Sequence, residues 1–125
     1  MINMKLNGLN AYFYKSENGN EPVRDWIKSL SKEDKKVLGE DIKTVQIAWP
    51  IGMPLVRSLG GGLWEIRSDL FRNRISRIIF FMYGNSMVLL HGFIKKTQKA
   101  SQSDIDLARK RMREVKNIWL VKTST

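Results

Sequence analysis

The chain has no cysteine and only one histidine, His91, among its 125 residues. Without thiols there is no disulfide framework and no thiolate nucleophile, and a zinc site would have to rest on one imidazole and carboxylates. Metal catalysis and a bound metal are therefore not expected. Long apolar runs are also missing. No segment approaches the roughly 20 uninterrupted apolar residues of a membrane helix, and Met1-Ile2-Asn3-Met4-Lys5-Leu6 lacks the apolar stretch of a signal peptide. These absences predict a cytoplasmic protein without membrane contact.

Negative charge is the other shortage. Twelve Asp and Glu face 22 Lys and Arg, for a net charge of +10. Residues 1–56 carry 8 basic and 7 acidic side chains, whereas residues 57–125 carry 14 and 5, so the surplus is +1 in the first part and +9 in the second. A positive field concentrated in one half of a small chain attracts a polyanion and gains from the counterions that binding releases. Nucleic acid is the leading class of partner. The plainer alternative is a basic, soluble surface, because net charge speaks to association and not to fold.

At this length one globular domain spanning residues 1–125 is expected, since domains run from about 50 to 250 residues. Leu9 to Lys15 alternate around Tyr12 and Tyr14 as a strand does, and the polar run Ser16-Glu17-Asn18-Gly19-Asn20 ends it. Val23, Trp26, Ile27 and Leu30 then follow helical spacing, with Asn20 as N-cap and Pro22 in the first turn. Ser31 followed by Asp34 is a cap signature, and Val37, Leu38, Ile42, Val45 and Trp49 continue a second helix until Pro50.

Ile51 to Gly62 holds Gly52, Pro54 and Gly60-Gly61-Gly62 and reads as a loop. Leu63–Arg67, Arg74–Tyr83 and Met87–Ile94 read as a three-stranded meander, joined by the Ser68-to-Asn73 turn and the Gly84-Asn85-Ser86 turn. Ser101 or Ser103 caps a last helix on which Ile105, Ala108, Met112 and Val115 form the apolar stripe and Arg109, Lys110, Arg111, Arg113 and Lys116 fill the other faces. The tail from Asn117 has Trp119 but no clear period. The predicted order is β-α-α-β-β-β-α, an α+β domain with a mainly antiparallel sheet.

Basic side chains recur where strands end or turn: Arg67, Arg72, Arg74, Arg77, and Lys95-Lys96. Adjacent strands lie roughly 5 Å apart, so a favourable register brings Arg67, Arg77 and Lys95 or Lys96 together, although the sequence does not specify that register. An arginine fork can hold two phosphate oxygens and neutralise the charge of a pentavalent transition state, and lysine supplies a point charge. The alternative is that these are solvated strand-end cations which contribute little to stability. Glu65 shares a strand face with Arg67 and is either a general base or one half of a salt bridge. His91 is suited to proton transfer, but in an apolar strand a hydrogen-bonded core histidine is the more frequent outcome. Trp64 and Phe93 either stack on bases or belong to the core. Gly60-Gly61-Gly62 lacks the lysine and following helix of a phosphate loop.

The runs Leu63-Trp64-Glu65-Ile66-Arg67, Arg77-Ile78-Ile79-Phe80 and His91-Gly92-Phe93-Ile94-Lys95-Lys96, followed by the basic helix from about Ser103, resemble the phage Gp49-like branch of HigB toxins in the RelE/ParE superfamily. The resemblance extends from the first strand to about Asn117. It implies a compact RelE-like fold and a ribonuclease that enters the ribosomal A site and cuts messenger RNA by attack of a ribose 2′-hydroxyl on the adjacent phosphate, without a cofactor. By position it implies Arg67 and Arg77 as transition-state stabilisers and Lys95 or Lys96 as the cation ending the last strand, with Glu65 standing where several relatives carry lysine or histidine. Arg72, Arg74, His91, Phe93 and Lys99 are the expected RNA contacts. The resemblance further implies a cognate antitoxin with a helix-turn-helix domain, and operator DNA bound only through the toxin–antitoxin complex. Two rivals remain: a ParE-like gyrase inhibitor, and a non-enzymatic nucleic-acid-binding module.

Overall fold

The computed structural model describes residues 8–95 and 100–123, with side chains described as far as residue 118. The elements are β1 (Asn10–Phe13), α1 (Pro22–Lys28), α2 (Lys32–Ala48), β2 (Val56–Gly60), β3 (Leu63–Leu70), a single 3-10 turn at Phe71–Asn73, β4 (Arg74–Tyr83), β5 (Ser86–Lys95) and α3 (Gln102–Thr123). The α+β class and the mainly antiparallel sheet are as the pattern predicts. The sheet has five strands in the order β1-β5-β4-β3-β2, with β1 parallel to β5 and the other pairs antiparallel.

The additional strand is β2, in the segment whose breakers suggested a loop throughout. Only its beginning is irregular. From Val56 the chain pairs with β3, and Gly60, Gly61 and Gly62 all take positive φ (87°, 62° and 86°) to close the hairpin, a conformation that favours residues without a Cβ. Two further limits move. β3 continues to Leu70, so Arg67 lies inside a strand, and the Asn117 tail is helical through Thr123.

Helices cover both faces of the sheet. On one side Val23 of α1 and Leu38 and Val45 of α2 pack on Ile66, Ile78, Phe80, Met87 and Leu89. On the other, Ala108, Met112 and Val115 of α3 pack on Leu63, Ile79, Phe81, Val88 and Leu90. This explains why β4, the middle strand, is apolar on both faces. Trp64 belongs to the first layer, edge-on to Trp49 with ring centroids 5.1 Å apart, so the core alternative holds for it. Ser31 Oγ accepts from the Asp34 amide at 3.1 Å and caps α2. At α1 the residue before the helix is Glu21, not Asn20, and it makes no side-chain cap. Among the described residues no helix is long and apolar enough to cross a membrane.

Candidate active site

Cross-strand partners share a face of a sheet, so the register alone assembles the site. Arg57 (β2), Glu65 (β3), Ile79 (β4) and His91 (β5) form one row across the strands. Arg67, Arg77 and Phe93 form the next, and Asp69, Ile75 and Lys95 the one after. Ile79 packs with α3, so all three rows lie on the α3 side of the sheet. Glu65, Arg67, Arg77, His91, Phe93 and Lys95 therefore share a single face.

A bulge makes this possible. Ile79 pairs with His91 but the next residue, Phe80, pairs with Leu89, leaving Leu90 as an extra residue in β5. Met87 and Leu89 point to the α1/α2 side. Under strict alternation His91, Phe93 and Lys95 would follow them there; the added residue turns all three to the opposite face. The carbonyl of Leu90 is bound by Arg111 Nη1 at 2.8 Å, and that guanidinium also lies over the Tyr14 ring at 4.9 Å.

The groups on this face differ sharply in exposure. Arg77 and Glu65 are fully buried, with Arg77 Nη1 donating to Glu65 Oε1 at 2.8 Å. Glu65 Oε2 has no hydrogen-bond partner among the described residues. The alternative of a solvated strand-end cation does not hold for Arg77, the fourth residue of a ten-residue central strand paired on both sides. Arg67 is partly exposed and also borders, with Asp41 and Asp69, a groove at the edge of β3 where β2 has not yet begun to pair.

On β5 the polar groups converge on Asp104, in the first turn of α3. Its Oδ1 lies 2.8 Å from His91 Nε2, and its Oδ2 accepts from Lys95 Nζ at 2.9 Å, from Ser101 Oγ at 2.7 Å and from the Ser101 amide at 3.1 Å. Ser101 Oγ faces the Asp104 amide at 3.2 Å, so Ser101, not Ser103, caps the helix. Burial works against the Asp104 charge, but the bonds from Lys95, His91 and Ser101 outweigh it and hold the carboxyl well below the usual range. Phe93 lies beside His91, with ring centroids 5.2 Å apart, and beneath Lys95 Nζ at 5.0 Å.

Arg74 faces the other way. Its guanidinium makes two bonds to Asp34 of α2, at 2.9 and 3.1 Å, which places it on the opposite side from the proposed RNA contacts. Arg72 is exposed in the turn between β3 and β4 with φ 64°, at the same end of the sheet as Lys95. Lys96 and Lys99 lie outside the described residues. Sequence reasoning did not single out Arg57, because its strand was taken for a loop, or Asp104, whose only signal is the Ser101-x-x-Asp104 cap spacing just beyond a strand ending in lysine.

Residues 25–113 match the family model described as Phage derived protein Gp49-like (DUF891). The chain belongs to this family. It is the RelE/HigB-like toxin branch, so the coarse class is a toxin of a toxin–antitoxin pair, and such a toxin implies an antitoxin partner. No curated protein matches the chain.

Proposed function

We propose that this Gp49-like protein is the toxin of a type II toxin–antitoxin pair and cuts messenger RNA on the ribosome without a metal. A ribose 2′-hydroxyl attacks the adjacent phosphate, and translation and growth stop. A cognate helix-turn-helix antitoxin neutralises the protein, and operator DNA is bound only through that complex. The whole of residues 1–125 acts as one cytoplasmic domain. The observation that carries the reading is the meeting of Arg67, Arg77, His91 and Lys95, from three strands, on one face of the sheet.

On this face Arg67, His91, Phe93 and Lys95 are partly exposed and so stand within reach of RNA. Arg67 supplies charge to the phosphate as it becomes pentavalent. His91, oriented by Asp104, moves a proton at the attacking or leaving oxygen, and Phe93 offers a ring to a base. Arg77 and Glu65, closed to solvent, act from beneath as a pair that positions this layer. The buried Glu65 Oε2, without a hydrogen-bond partner among the described residues, favours a second reading, in which the ribosome opens the face, Glu65 takes the 2′-hydroxyl proton and Arg77 moves to the phosphate.

Controlled expression of the wild type, Arg67→Ala and His91→Ala, with growth curves and mapping of messenger RNA ends, tests the proposal. Growth arrest with new message ends that disappear in both variants is expected. Arrest with intact messages and damaged DNA would mean a gyrase poison, and no arrest with intact messages a binding module.

A further inference from the structure

We propose that a pocket between α1, α3 and the bare edge of β5 is a binding site for one unpaired nucleobase of the RNA, adjoining the proposed cleavage face. The inference rests on the RNA-binding part of the function proposed above and does not require cleavage. β1 pairs with β5 only as far as Phe13 and Leu89, so beyond that point β5 has no strand on its outer side among the described residues. There the helices from the two faces of the sheet approach each other round the edge. They leave a pocket of about 210 Å³ walled by Val23 and Trp26 from α1, Leu107 and Arg111 from α3, and His91 from β5.

Three properties select the ligand. Pockets for drug-sized molecules run to roughly 300–1,000 Å³, so this one suits a single flat ring system. An indole and a guanidinium line it, the two kinds of planar surface on which unstacked bases are held in single-stranded RNA. His91 belongs both to this wall and to the row containing Glu65, so a base in the pocket brings its own phosphate to the face that carries the partly exposed Arg67.

The pocket is also built with defined limits. Gly92 lies directly against the Trp26 ring, and a Cβ at this position would overlap the indole, so the side of the pocket formed by Trp26 depends on a glycine in the strand. Arg111 is held at the pocket by the Leu90 carbonyl and the Tyr14 ring. Both planar walls are therefore in place before a ligand arrives.

The test uses short single strands of uniform base with 2′-deoxy sugars, which cannot be cut by 2′-hydroxyl attack, titrated against the full chain. Nitrogen-15 NMR follows the indole N–H of Trp26, assigned through Trp26→Phe, and fluorescence anisotropy gives affinity. We expect the Trp26 resonance to shift with a preference for one base class. Leu107→Trp, which fills the pocket from a partly exposed helix position, should lower affinity about tenfold, on the scale of one base–aromatic stack, and abolish the preference. Gly92→Ala should act in the same direction by displacing the indole, with its thermal midpoint measured alongside. Equal binding of all strands, unchanged in Leu107→Trp, overturns the proposal. A base-selective Trp26 shift in a protein that cuts no RNA supports the pocket while removing the nuclease.

Discussion

Arg77 and Glu65 form an ion pair of 2.8 Å with both side chains shut away from solvent, although they come from different strands and lie twelve residues apart in sequence. Removing one partner of such a pair leaves the other charge buried and uncompensated, which typically costs about 3–5 kcal/mol. Replacing both by apolar groups of similar volume is often close to neutral.

Arg77→Ala should therefore lower stability by about 3–5 kcal/mol in chemical denaturation, in contrast to the small effect expected of a solvated cation. The double variant Glu65→Leu/Arg77→Met should recover most of that loss. If the pair only positions its neighbours, the recovered protein keeps measurable RNA cleavage; if the two groups react, it is folded and inert.

Asp104 provides a pH-dependent contribution whose sign follows from its lowered value. A carboxyl with a folded value below the ordinary one of about 3.9 stabilises the fold fully above that value and loses the contribution as pH falls towards the folded value. Asp104→Asn should cost about 1–3 kcal/mol at neutral pH, the scale of a lost cap and its charge-assisted bonds. The gap from wild type should narrow as pH falls below about 4. A constant gap across that range would contradict the assignment.

Arg74 and Arg67 should separate cleanly. Arg74→Ala breaks the contact with Asp34, so the thermal midpoint should fall, more at low salt than at high, while RNA binding stays as in the wild type. Arg67→Ala should do the reverse, weakening RNA binding and reducing its salt dependence by about one phosphate contact. Weaker RNA binding by Arg74→Ala would return that residue to the interface.

Tyr14 is pushed up to about 12 by burial, by its hydrogen bond to Glu114 and by the charge of Glu114. A raised folded value means that its contribution is complete below about pH 10 and is lost as pH rises through about 12. Tyr14→Phe should cost about 1 kcal/mol at neutral pH and remove that alkaline step from an ultraviolet titration. Loss of RNA binding in the same variant would show that Arg111, stacked on Tyr14, needs the hydroxyl for its place at the pocket.

The amino-acid order by itself determined the class of fold, because amphipathic period is a local property. The spacing from Val23 to Leu30, the stripe from Val37 to Trp49 and the apolar run through Ile79 each required a helix or a buried strand whatever surrounded them. It also placed the charge asymmetry and most of the polar residues now found on the candidate face. Where those residues point was decided by the tertiary structure. One added residue at Leu90 turns His91, Phe93 and Lys95 to the side of Arg67, and such a shift comes from the packing of β5 between β1, β4 and Arg111, which no period within β5 reveals. Burial of Arg77 against Glu65, and the joining of His91 to Lys95 through Asp104, arise in the same way. Each depends on chain segments distant in sequence, so each appears only once the sheet has closed.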